Sequence, residues 1–162
     1  MIHVRHAESA DAGLLLQLIR EMGNQERMPV FTSEERLLKD GFGPEPKFHG
    51  FIAQDGMLVA GYALAFDCYS SFQGSGLFLE DLFVRGEFRG KGVGKALLSH
   101  VTAKAFELGC FGIMLNVLDW NEPALRFFER AGASVLSERK TLCLMPESLE
   151  DTARFNFASL TT

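Results

Sequence analysis

The sequence predicts an α/β fold in which helices flank a mixed central sheet. Three observations carry that prediction. Apolar runs of strand length alternate with stretches of helical periodicity. A glycine-rich turn joins an apolar strand to the longest helical stretch. And 162 residues, 47% of them hydrophobic, are enough for one domain with a proper core. Residues 1–145 are expected to form that domain, with 146–162 a weakly patterned tail.

Taken in order, Ile2 and Val4 make a short strand. Ser9 can cap a helix whose apolar positions Leu14, Leu15, Leu18, Ile19 and Met22 recur every three or four residues; Gly23 should end it, leaving Asn24 to Arg27 as a polar turn. Thr32 and Glu35 have capping-box spacing and open a shorter helix that Gly41 should stop. Phe48 to Gln54 and Met57 to Phe66 are strand-like and joined by Asp55-Gly56, a pair that suits a tight hairpin. Tyr69 to Gly76, rich in serine and glycine, reads as a loop delivering the chain into a strand from Leu77 to Val84. Val93, Leu97, Val101, Ala105 and Leu108 lie on the longest helix, with Gly109 as its stop. Ile113 to Leu118 reads as a strand buried on both faces. Asn121-Glu122-Pro123 then opens a last helix with a cap and a first-turn proline, and Gly132 closes it. Val135-Leu136 and Thr141 to Met145 are expected to form a terminal strand pair, and Phe155 and Phe157 in the tail to pack on the domain or on a partner.

The formal net charge of −5 argues against general affinity for nucleic acid and favours a small cationic partner. Cys68, Cys110 and Cys143 are odd in number and far apart, which suits reduced thiols and a cytoplasmic protein. The first residues have no secretory core, and the longest apolar run, Met57 to Phe66, falls short of the roughly 20 residues of a membrane span. His3, His6, His49 and His100 lack metal-ligand spacing, so no metal is expected.

Gly90, Gly92 and Gly94 lack the side chains that would keep an anion from backbone N–H groups, and the following helix turns its positive end to the same spot. A pyrophosphate suits that geometry. The spacing is not that of the dinucleotide fingerprint, and Gly94-Lys95-Ala96 replaces the Gly-Lys-Ser/Thr ending of a nucleotide P-loop. Just upstream, Glu80 and Asp81 stand among Phe78, Leu79, Leu82 and Phe83; strand alternation points them to opposite, largely buried faces. A buried carboxylate costs several kcal/mol unless it is paired, protonated or in a wet cleft. The purely structural alternative is an ion pair with an arginine such as Arg5 or Arg126.

Arg89-x-x-Gly92-x-Gly94 after an apolar strand resembles the acyl-CoA pyrophosphate loop of the GNAT N-acetyltransferase superfamily, and the order of strands and helices fits that fold. Gly41-Phe42-Gly43, Leu79-Glu80-Asp81, Trp120-Asn121-Glu122-Pro123 and Arg130-Ala131-Gly132-Ala133-Ser134 extend the resemblance over residues 1–145, toward the spermidine/spermine (diamine) acetyltransferases. The resemblance implies direct transfer of an acetyl group, in a ternary complex, from acetyl-CoA to a primary amine of a diamine, a polyamine or an amino-acid-like molecule. It implies Glu80 as the base, with Asp81 beside it and Glu26 also at the substrate amine. The backbone of Leu82, Phe83 and Val84 would meet the pantetheine arm or the thioester carbonyl. Arg89, Gly90, Lys91, Gly92, Val93, Gly94 and Lys95 would hold the pyrophosphate, and Asn121 would contact coenzyme A. Phe128 falls where the relatives carry a tyrosine thought to protonate the departing thiolate. Ser70 and Lys140 fall at acidic positions of the polyamine enzymes and Phe72 at a tryptophan, which favours a shorter diamine or an amino-acid-like amine over spermine. Phe128 keeps open a second reading, an acyl-CoA-binding sensor with little turnover, and a third makes a protein N-terminus or lysine the acceptor. Family members of this type commonly form dimers, which makes a homodimer the expectation.

Overall fold

The computed structural model describes residues 1–145. Its first unit, Met1–Asn116, runs β1 (Ile2–His6), α1 (Ala12–Glu26), α2 (Glu34–Phe42), β2 (His49–Asp55), β3 (Leu58–Ser70), β4 (Gly74–Val84), α3 (Val93–Glu107) and β5 (Ile113–Leu115). The second unit begins at Val117 and contains α4 (Glu122–Arg130). Among the described residues the sheet has five strands in the order β1-β2-β3-β4-β5, antiparallel as far as β4 and parallel between β4 and β5. The chain is thus an α/β protein with a mixed sheet, as expected.

One face of the sheet presents Ile52, Tyr62, Leu64 and Phe83 to Leu15, Leu16 and Leu18 of α1 and to Leu37 of α2. The alternating positions, including Ala53, Ala63 and Ala65, are small and buried, and α3 lies across β1 to β4 with Val93, Leu97, Val101 and Ala105 buried. Period-2 strands thus meet the apolar stripes of period-3.6 helices.

Several boundaries differ from expectation. Entry into α1 is organised by Asp11 rather than Ser9: its carboxylate accepts from the Glu8 N–H at 2.8 Å and from Nη1 and Nη2 of Arg5 at 2.7 and 2.8 Å. Gly23 and Gly41 lie inside helices instead of ending them. A Cβ at Gly23 would stand 2.6 Å from Val30 Cγ2 and 2.9 Å from the Met28 carbonyl, and one at Gly41 would collide with the Phe48 ring. Both glycines admit a close neighbour rather than a turn. Ser33, not Thr32, caps α2, its Oγ accepting from the Arg36 N–H at 3.2 Å.

The serine-glycine stretch is mostly strand: Cys68, Tyr69 and Ser70 pair with Gly76, Ser75 and Gly74, so only Ser71 to Gln73 turn the chain. β5 is three residues long and half-buried, and its ladder ends at Leu79↔Leu115, just before an irregularity in β4. Val135-Leu136 and Thr141 to Met145 form no strands. Their side chains are exposed, and among the described residues no neighbouring strand takes up their backbone groups. Phe155 and Phe157 lie outside the described residues.

Candidate active site

The irregularity centres on the predicted carboxylates. β3 residues Leu64 and Ala65 are consecutive, yet they face Asp81 and Leu79 of β4, so Glu80 is an extra residue in the ladder. A bulge of this kind suspends alternation and re-aims the side chains around it. The expectation of two opposed, buried carboxylates is corrected accordingly: Glu80 is exposed, whereas Asp81 is largely buried, in register with Leu64 on the Tyr62 face.

Tyr62 is fully buried, and its hydroxyl donates to Asp81 Oδ2 at 3.0 Å. Its other polar contact is Met22 Sδ of α1 at 3.7 Å, a weak acceptor. Burial pushes the Asp81 carboxyl up to about 6; the Tyr62 hydrogen bond works against this, and the charges of Glu80 and Glu26 add to it. Burial also raises Glu26, and burial followed by the Asp81 charge raises the Tyr62 phenol, which stays neutral. Glu26 is held on the last turn of α1, because the helix continues through it and ends at Arg27 in the left-handed region (φ 56°). Of the polar turn expected at Asn24 to Arg27, the first three residues are therefore helix.

Glu26, Glu80 and Asp81 make no ion pair with any side chain among the described residues. Arg5 is taken by Asp11 and Arg126 by Glu122, which removes the two ion pairs weighed for the strand carboxylates. Three predicted substrate residues from α1 and β4 thus converge on a tyrosine of β3.

The glycine turn lies downstream on the same strand. Gly90 and Gly92 have φ of 73° and 86°, values that favour glycine, and α3 starts at Val93 without the side-chain cap that Ser33 and Asn121 give to α2 and α4. Its first N–H groups stand beside the cations of Arg89, Lys91 and Lys95 in the chain, a donor set suited to a pyrophosphate. Lys91 Nζ sits 5.4 Å from the Phe88 ring centroid. Arg89 is anchored at its base, Nε donating to the Val84 carbonyl at 3.0 Å and Nη2 to Gln25 Oε1. Four residues earlier, Arg85 makes a bidentate pair with Glu21, both bonds 2.7 Å, and donates to the Val59 carbonyl at 2.9 Å.

The amides of β4 do not all face one way. The Arg85 N–H donates to the Ala60 carbonyl at 2.9 Å, so alternation turns the Phe83 N–H toward β3 as well and those of Leu82 and Val84 toward the other edge. That edge is outside the β5 ladder from Glu80 onward. The expectation that the Phe83 N–H meets the cofactor is corrected, since it is turned toward β3.

In the second unit, Asn121 Oδ1 accepts from the Ala124 N–H at 3.2 Å with Pro123 in the first turn, and Phe128 is buried with Phe127 edge-on at 5.0 Å. Ser70 ends β3, its Oγ accepting from the N–H of exposed Phe72 at 3.2 Å. Sequence reasoning missed Tyr62, although a buried tyrosine requires a partner for its hydroxyl. It also missed the two α1 rungs, although Glu21 and Gln25 share the four-residue spacing of Arg85 and Arg89.

Comparison with known proteins agrees with this architecture. The acetyltransferase (GNAT) family profile matches residues 15–133. Thialysine N-epsilon-acetyltransferase of Bos taurus is 37% identical over 85% of this chain and 86% of its own length. A human spermidine/spermine N(1)-acetyltransferase-like protein is 32% identical over 85% of this chain and 21% of its own. A crystal structure of a probable acetyltransferase superposes with a TM-score of 0.76 at 21% identity, covering 88% of this chain and 97% of that one, which speaks to the fold alone. The chain belongs to the GNAT family of acetyltransferases, and with it to the enzymes that move an acetyl group from acetyl-CoA to an amine.

Proposed function

We propose that the protein acetylates a primary amine of a small molecule by direct attack, with both substrates bound at once, and that Glu80 takes the amine's proton. The observation that carries this reading is the convergence of Glu26, Glu80 and Asp81 around Tyr62, without a cationic partner among the described residues, on the strand that leads to the glycine turn. Three carboxylates whose charges act on one site favour a cation, and an alkylammonium with a pKa of about 10.4 is almost wholly protonated at neutral pH. Asp81 and Glu26 hold the ammonium. Glu80, exposed at the bulge, accepts the proton directly or through water, which frees the nitrogen lone pair to form the new C–N bond while the C–S bond breaks. Acetyl-CoA supplies the acetyl group as an activated thioester. The Leu82 and Val84 amides, on the open edge of β4, donate to the pantetheine arm or to the thioester carbonyl, as a small oxyanion hole would. Backbone amides from Gly90 to Lys95 and the side chains of Arg89, Lys91 and Lys95 hold the pyrophosphate; a coenzyme A contact for Asn121 rests on the family resemblance alone. Phe128 donates no proton, so the thiolate leaves unassisted or takes its proton from water; a thiol pKa of about 8.5 permits this.

The acceptor is a short diamine or an amino-acid-like amine. Thialysine, named in one relative, is an amino-acid-like amine, and the family resemblance puts Ser70 and Lys140 at acidic positions of the polyamine enzymes, which weakens the case for a long polyamine. The enzyme is read as a cytoplasmic homodimer without nucleic-acid or membrane partners. The net charge of −5 supports the absence of a nucleic-acid partner and the free Cys68, Cys110 and Cys143 suit a reducing compartment, while the homodimer rests on the family resemblance alone. Thiol release from acetyl-CoA over a panel of diamines, diamino acids, polyamines and peptides tests the reading. Short diamines or diamino acids should give thiol and acetylated amine in equal amounts; tight acetyl-CoA binding with no thiol from any amine would favour the sensor.

A further inference from the structure

Among the described residues, the one hydrogen bond inside the carboxylate cluster comes from a residue that the cofactor and base assignments do not use. Tyr62 has one proton to give. It goes to Asp81 Oδ2 at 3.0 Å, because the alternative, Met22 Sδ at 3.7 Å, is a weak acceptor. The ring is fully buried and packs against Phe83 at 6.1 Å, so the hydroxyl is fixed in direction by the core. Asp81 Oδ1 has no protein donor among the described residues, and no buried side-chain oxygen there lacks a partner, so Oδ1 reaches solvent. The titratable groups that bear on Asp81 are Tyr62 from β3, Glu26 from α1 and Glu80 from β4, and only Tyr62 is a donor.

We propose that Tyr62 is a positioning residue for the acceptor amine: its hydroxyl pins Asp81 Oδ2 and leaves Oδ1 presented to the ammonium group. The inference rests on the amine-acetyltransferase reading above. A carboxylate held by one neutral donor keeps its full charge for the cation while losing its freedom to turn. The same bond favours the ionised form of Asp81 against burial and its two acidic neighbours, and so extends amine binding to lower pH.

Steady-state kinetics of Tyr62→Phe test this. The variant keeps the ring and removes only the hydroxyl. The amine KM should rise about tenfold with kcat within about twofold, and the acetyl-CoA KM should stay unchanged. The acidic limb of kcat/KM for the amine should move to higher pH. In an Asp81→Asn background, Tyr62→Phe should add almost nothing. An unchanged amine KM, an unmoved acidic limb, or full additivity with Asp81→Asn would overturn the proposal. Should Tyr62→Phe fail to fold, fluorotyrosine in place of both tyrosines, of which Tyr69 is exposed, preserves the shape and strengthens the donor. The acidic limb should then move to lower pH, and an unmoved limb would overturn the proposal. Wild-type turnover separates the two readings: no thiol from any amine removes the enzymatic reading and this inference together, whereas normal wild-type turnover with an unaltered Tyr62→Phe removes this inference alone.

Discussion

Asp81 binds its proton more tightly in the folded chain than a solvated aspartate does, because burial and two neighbouring carboxylates oppose its charge. With a folded value near 6 against about 3.8 unfolded, the folded state holds more protons between those values, so stability is fully present below pH ~4 and is lost as pH rises through about 6. Asp81→Asn should therefore stabilise the protein by on the order of 2 kcal/mol at pH 8 and by almost nothing at pH 4, measured by urea denaturation at each pH, while amine acetylation falls sharply. Amine binding has the opposite pH dependence, since it needs the ionised form: kcat/KM should fall as pH drops through about 6. The sequence shows that a carboxylate pair in an apolar strand is unusual, but it does not show which member is buried. A single-residue bulge decides that, and bulges leave no pattern in a strand of alternating apolar residues.

At the level of elements, α1 and the β4–α3 connection are joined by two rungs, Glu21 to Arg85 and Gln25 to Arg89. The first is bidentate and largely withdrawn from solvent on the arginine side, so Glu21→Ala should cost about 2 kcal/mol, read from urea denaturation. The turn that follows depends on backbone conformation rather than space: a Cβ at Gly92 would touch nothing within 4 Å, yet its φ of 86° disfavours any other residue. Gly92→Ala should cost about 1–2 kcal/mol and raise the KM for acetyl-CoA more than that for the amine, as a melting curve and a pair of substrate titrations will show. Of the elements, those with strong periodicity were legible, from β1 through α4 in correct order. The errors fell where tertiary contact overrides local propensity. Gly23 and Gly41 read as stops but admit Val30 and Phe48, and the serine-glycine stretch before Leu77 reads as a loop but pairs with the end of β3.

For the molecule as a whole, family membership was legible from the arginine-glycine turn and the Leu-Glu-Asp strand together. The donor to Asp81 was not, since Tyr62 and Asp81 are 19 residues apart and meet only through the β3–β4 hairpin. The family resemblance puts Phe128 in the place of a proton-donating tyrosine. With a proton donor restored at the position that the resemblance gives to a tyrosine, Phe128→Tyr should raise kcat about tenfold or more while leaving the acetyl-CoA KM nearly unchanged, in the thiol-release assay with the best amine of the panel. The central claim, proton removal by Glu80 during acetyl transfer to an amine, is tested most directly by comparing wild type with Glu80→Gln at saturating acetyl-CoA and following acetylated amine by mass spectrometry. Wild type should produce it and Glu80→Gln should lower kcat by about a hundredfold or more with acetyl-CoA binding intact; equal product formation by the two proteins would contradict the account.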